Sequence, residues 1–109
     1  MKDKKKLHDV LDAIEAIEAY SVASYDEFLA DSKTQDAILY NLIIIGEAAN
    51  QISNEFKEQN YAIPWSSMIG TRNIVVQGYD QVKLQIVWEI LQRDLDNSKS
   101  EIMKILDRN

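Results

Sequence analysis

The sequence predicts an all-α fold, an antiparallel up-and-down bundle of four main helices plus a short one. Three observations carry this. Apolar residues recur at three- and four-residue spacing along most of the chain, the period of a helix buried on one side. The 109 residues include one Pro and three Gly, while Ile, Leu, Ala and Glu are common. The breaks between periodic stretches are short, as in bundles whose consecutive helices run antiparallel. The length suits one domain, residues 1–109, and an apolar content of 46% is enough for a modest core.

The first helix is expected from about Lys4 to about Ala23, with Asp3 as its cap and Leu7, Val10, Leu11, Ile14 and Ile17 on one face. His8, the only histidine, falls on the flank of that stripe and reads as a solvated surface residue. Ser24 to Leu29 reads as a short helix, with Ser24 as N-cap and Glu27 three residues on. Phe28 and Leu29 should close the bundle end. Ser32 and Gln35 form a second such pair, opening a long helix from about Lys33 to about Lys57. That helix is apolar on more than one face, so it is either central or an oligomer interface; the interface is the reading preferred here. Its Gly46-Glu47-Ala48-Ala49 segment supplies small residues for close helix approach.

Glu58 to Ala62 reads as the main loop, and Pro64 as a helix start, where its missing N–H costs nothing. A helix from about Pro64 to about Gln77 should carry Trp65, Met68, Ile69, Val75 and Val76 inward. Gly78 is a plausible stop, since glycine accepts positive φ. The last helix should begin at Asp80 or Gln81 and run to about Leu106, with Val82, Ile86, Val87, Ile90, Leu91, Leu95, Ile102, Ile105 and Leu106 as its stripe. Trp88 belongs to that stripe and reads as core rather than as a platform for stacked bases.

Composition excludes several function classes. With no cysteine there is no disulfide, thiolate metal site or Cys nucleophile, which fits a reducing cytoplasm. No apolar run approaches the roughly 20 residues of a membrane span. The basic start, Lys2-Asp3-Lys4-Lys5-Lys6, lacks the apolar segment of a signal peptide. The net charge of −6 is wrong for a general nucleic-acid binder, so any contact with RNA must be local or assisted by a partner. There is no Gly-rich phosphate loop, no His or Cys metal cluster and no Ser-His-Asp set, so no cofactor is expected.

One octet stands apart: Arg72-Asn73-Ile74-Val75-Val76-Gln77-Gly78-Tyr79. On a helix, Asn73 and Gln77 are i and i+4 neighbours, and Arg72 and Tyr79 lie two turns apart on nearly one face. This spacing resembles the R-x-x-x-x-H-x-Y motif of the HEPN ribonucleases, in particular the HepT-like toxins, with Gln77 at the histidine position. The Gly46-Glu47-Ala48 segment, the Pro64-Trp65 start with Gly70 before the octet, and Ile86-Val87-Trp88 after it extend the likeness over nearly the whole chain.

The resemblance implies a HEPN-like bundle and a homodimer whose two motifs meet to cleave RNA without a metal. Arg72 matches the family arginine, Asn73 the polar residue that follows it, and Tyr79 the terminal tyrosine. It also implies a minimal nucleotidyltransferase antitoxin as partner, which in some systems transfers AMP onto the tyrosine. Glu47 is either an exposed or salt-bridged carboxylate or an acid that orients Arg72 or position 77.

Gln77 departs from the pattern. Its amide can hydrogen-bond phosphate but cannot exchange a proton near neutral pH. Loss of a general acid–base typically costs roughly 10²–10⁴ in rate. The chain is therefore expected to be an impaired ribonuclease. Gln77 marks either a degenerate member or a change introduced to silence the site. The competing reading is a non-catalytic helical module, whose octet builds a dimer interface or binds the nucleotidyltransferase. A weaker variant is a nucleotide-binding helper that presents Arg72 to such a partner.

Overall fold

The computed structural model describes residues 2–20, 24–78, 83–93 and 95–107. Every regular element among them is a helix: α1 (Lys2–Glu18), α2 (Tyr25–Ala30), α3 (Ser32–Gln51), α4 (Asn54–Gln59), α5 (Trp65–Gln77), α6 (Leu84–Arg93) and α7 (Leu95–Asp107). The four main helices of the expected bundle are α1, α3, α5 and the C-terminal pair α6 and α7, and α2 is the short one. The described pair lies on either side of position 94. The predicted starts Asp80 and Gln81, with Val82, lie outside the described residues.

α3 is the central helix. It packs between α1 and α5, while α7 returns to α1 and α6 reaches α2. The breadth of its apolar surface is thereby largely used inside the protomer: Ile38, Leu39, Leu42, Ile45, Ala48 and Ala49 are buried. The core joins these to Leu7, Val10, Ile14 and Ile17 of α1, Met68 and Val75 of α5, Val87 of α6, and Ile102 and Ile105 of α7. Trp88 is core-facing as expected. Its ring centroid lies 5.7 Å from Phe28 and 6.0 Å from Tyr25, the spacing of favourable aromatic pairs.

Several boundaries depart from the sequence reading. α1 ends at Glu18, and Ala19 and Tyr20 turn away; Ala23 lies outside the described residues. Asp3 does not cap α1. It sits inside the first turn and accepts from Ser53 instead, N–H at 3.0 Å and hydroxyl at 2.8 Å. Ser24 does cap α2, accepting from the Glu27 N–H. Of the pair meant to close the bundle end, Phe28 is fully buried and Leu29 is exposed.

The cap of α3 is Asp31, not Ser32. Its carboxylate takes both the backbone N–H and the hydroxyl of Thr34, and these bonds hold its pKa below the usual carboxylate value. Gln35 serves the preceding helix end, donating to the carbonyls of Phe28 and Leu29. α3 also stops six residues before Lys57, the predicted end. The backbone becomes extended at Ile52, and Ser53 caps a new short helix, α4, by accepting from the Phe56 N–H. The apolar spacing Ala49, Ile52, Phe56 runs on through the break, which hid it. Glu58 and Gln59, predicted as loop, complete α4.

Pro64 marks the start of α5 as expected, one residue ahead of the helix, in the N-cap position and without a side-chain cap bond. Val75 is buried but Val76 is about half exposed, because neighbours turned by about 100° cannot both face one narrow seam. Ile86 of the predicted last stripe is likewise half exposed. Gly78 ends the helix with φ −143°, so no left-handed residue is needed there.

Candidate functional site

The first six residues of the octet, Arg72 to Gln77, form the second half of α5, and Arg72 packs closely on α3. The contact is made at Gly46. A methyl group built there would collide with Arg72 Cβ and come within 2.8 Å of Arg72 Cγ and of the Met68 carbonyl. Only a residue without a side chain lets α5 lie this near α3. The close approach sends the Arg72 side chain along α3 toward Glu47.

Arg72 is held from both sides. Its Nη1 donates to Asn73 Oδ1 at 3.0 Å, and its Nη2 meets Glu47 Oε1 at 3.5 Å. The side chains of Arg72 and Glu47 remain 34% and 52% exposed. Such a pair contributes at most about 1 kcal/mol to stability, so it orients the guanidinium more than it holds the fold. Arg72 Nε is buried and has no partner among the described residues. Much of the donor fork of Arg72 is thus uncommitted among the described residues.

Arg72, Asn73 and Glu47 line one polar cleft of about 360 Å³ together with Asn50, Gln51 and Ile69. Asn50 and Gln51 were missed in the sequence. The signal was present: they follow Glu47 at i+3 and i+4, on the same face of α3. Glu47 is exposed and pairs with Arg72, as its salt-bridged reading expects. Gln77 is exposed at the end of α5, one turn beyond Asn73, and is not among the residues lining the cleft. Tyr79 lies outside the described residues. His8 is exposed on α1, as expected for a solvated residue.

A second feature of α5 and α6 is apolar. Ile74, Val76 and Ile86 are 63%, 49% and 50% exposed. Ile74 and Ile86 line a cleft of about 260 Å³ with Thr71, Val75, Lys83, Val87 and Ile90. No helix among the described residues is long and apolar enough to cross a membrane.

The model of the family described as "Ribonuclease HepT-like" matches residues 10–105. The chain belongs to that family. A protein of Thermococcus cleftensis named "Probable ribonuclease HepT" is 35% identical to this HepT-like chain over 103 residues, 94% of each chain. A Methanocaldococcus jannaschii protein carrying a provisional RNase name is 34% identical over 100 residues, 91% of this chain and 92% of its own length. Another from the same organism couples a gamma-glutamylcyclotransferase with a provisional RNase assignment and is 35% identical over 102 residues. The HepT-like chain spans less than half of that longer protein, 46% of its length. No solved structure shows a significant match.

Proposed function

We propose that this HepT-like chain is the toxin of a type VII-like toxin–antitoxin pair, built as a metal-independent RNA endonuclease and impaired in catalysis by Gln77. The observation that carries the reading is Arg72: a partly exposed guanidinium, oriented by Asn73 and Glu47, with donors left over in a polar cleft. A planar fork of that kind matches the oxygens of a phosphodiester and would stabilise the charge that grows on them during cleavage. The second requirement is a group that removes the proton of the 2′-OH or protonates the leaving 5′-oxygen. Position 77 is where the family resemblance puts it, and an amide there cannot do it.

The reading includes a homodimer. The exposed Ile74 and Ile86, which line one cleft, support it, since apolar side chains grouped on a surface mark a contact site. It includes a minimal nucleotidyltransferase antitoxin that adds AMP to Tyr79. The tyrosine oxygen would displace pyrophosphate from ATP and lose its proton. The added phosphodiester would bring bulk and negative charge to the neighbourhood of Arg72, where RNA phosphate binds. The absence of cysteine suits a cytoplasmic site of action.

The position of Gln77 outside the Arg72 cleft favours a second reading, a non-catalytic module that binds the nucleotidyltransferase. RNA cleavage by the purified chain beside its Gln77→His variant separates the two. Cleavage by the histidine variant, with little or none by the parent, is expected. If neither cuts while both fold and dimerise, the ribonuclease reading of this site fails and the module remains.

A further inference from the structure

We propose that the lysine end of α1, formed by Lys2, Lys4, Lys5 and Lys6, anchors the phosphate backbone of the RNA strand whose reactive phosphate sits at Arg72. The inference rests on the RNA reading above and extends it to a second contact on the same strand.

The first argument is the cost of the cluster to its own helix. The chain has 12 Lys and Arg in all and a net charge of −6, yet four of those cations fall within five consecutive residues. They occupy the first turns of α1, the positive end of the helix dipole, where cations are unfavourable. Lys2 and Lys6 are also spaced i and i+4, which adds repulsion. The acid in that turn, Asp3, is engaged by the backbone N–H and hydroxyl of Ser53. Lys5 has Asp9 at 3.5 Å, but its side chain is 80% exposed, so the pair is weak. Lys2, Lys4 and Lys6 make no ion pair among the described residues. Asp3 and Asp9, with the Asp12 and Glu47 carboxylates that share a cleft with Lys6, offset this only in part, and a local arrangement that opposes its own helix is expected where function requires it.

The second argument is continuity. Lys6 lines a cleft between α1 and α3 that also includes Glu47 and Gln51. Glu47 and Gln51 line the Arg72 cleft on the other side of α3 as well. The two clefts are therefore separated only by the width of one helix, about 10–12 Å. Asp9, Asp12 and Glu47 would repel a polyanion from the length of the α1–α3 groove. The crossing open to a strand is over the neutral amides Asn50 and Gln51 at the end of α3. That end adjoins the lysines, because Ser53 is bonded to Asp3. In an acidic protein, two separated cationic contacts would align a strand across Arg72 where a single arginine would not.

The test is the salt dependence of binding to a single-stranded RNA of about 20 nucleotides, where each phosphate contact contributes about 0.7 to the slope of log K against log salt. Four proteins are compared: the parent, a Lys2→Gln/Lys4→Gln/Lys5→Gln/Lys6→Gln variant, Arg72→Ala, and Lys33→Gln/Arg93→Gln. Lys33 opens α3 at the far end of the bundle from Asp3, and Arg93 ends α6 beside Gln92, which shares a cleft with Glu18 at the last turn of α1. The quadruple variant should lose about 2–3 from the slope and melt no lower than the parent, since cations leave a helix N-terminus. The Lys33/Arg93 variant should keep the parent slope. An unchanged slope in the quadruple variant, with binding still lost in Arg72→Ala, overturns the anchor and leaves the RNA site standing. An equal fall in the Lys33/Arg93 variant also overturns it, because the effect is then net charge alone. A parent that binds no RNA, or binds it without need of Arg72, overturns both readings.

Discussion

Gly46 faces Arg72 across the α3–α5 contact with no room for a side chain between them. A glycine inside a helix costs roughly 1 kcal/mol against alanine, so replacing one normally helps. Here the added methyl meets Arg72 Cβ and the Met68 carbonyl, which belong to a buried seam. Gly46→Ala should therefore destabilise the fold by about 1–3 kcal/mol, as overpacked cores do. It should also shift Arg72 away from Glu47. Denaturant unfolding checks the first effect and RNA binding the second.

On the proposed function, Glu47 would compete with phosphate for the same guanidinium. The pair is exposed and 3.5 Å apart, so Glu47→Gln should change stability by less than about 0.5 kcal/mol. It removes one negative charge from the cleft and frees Arg72 Nη2. RNA binding should tighten several-fold, measured by fluorescence anisotropy at fixed salt. Weaker binding would mean that orientation by the carboxylate matters more than its charge.

Ser98 is 1% exposed, and its hydroxyl has no hydrogen-bond partner among the described residues. A buried, unsatisfied hydroxyl carries a desolvation cost of about 1–3 kcal/mol. Ser98→Ala deletes that oxygen from α7 and improves helix propensity. The variant should gain about 1 kcal/mol, seen as a higher thermal midpoint. A loss of stability would reveal a partner for the hydroxyl.

The cap of α3 predicts a dependence on pH. Asp31 has its pKa lowered by the hydroxyl and backbone N–H of Thr34. A carboxylate depressed on folding contributes stability that is complete above its unfolded pKa and is lost as pH falls through the folded one. Asn also caps helices well but does not titrate. Asp31→Asn should therefore be less stable than the parent at neutral pH, and the gap should close in acid. Unfolding curves from neutral pH downward decide it; a constant gap would show that the charge contributes nothing.

Local chemistry was legible where one residue decides the backbone. Ser24 as cap and Pro64 as start stand in the structure, and the helix does stop at Gly78, though not through the positive φ that singled out a glycine. The burial of Leu7, Val10, Ile14 and Ile17 stands as well. Reading failed where the same residue had a more distant use. Asp3 could cap its own helix, but Ser53, fifty positions away, takes its carboxylate. Gln35 could close its own capping box, but it faces the carbonyls ending α2. The break after Gln51 was invisible because apolar period survives a corner that keeps the same face inward. The Arg72 cleft was half legible. Arg72, Asn73 and Glu47 were found, while Asn50 and Gln51 belong to it through a helix crossing that only the structure fixes.

The link from Asp3 to Ser53 makes order in the middle of the chain conditional on its first helix. Ser53 gives both its backbone N–H and its hydroxyl hydrogen to Asp3 while accepting from the Phe56 N–H. When the first turn of α1 frays, the residue that caps α4 loses its own support. Amides at the start of α4 should then exchange with solvent at the rate of α1 opening, not of α3, although α3 is their immediate neighbour in the chain. The corner after the central helix is in this sense the last part of the first helix to fold.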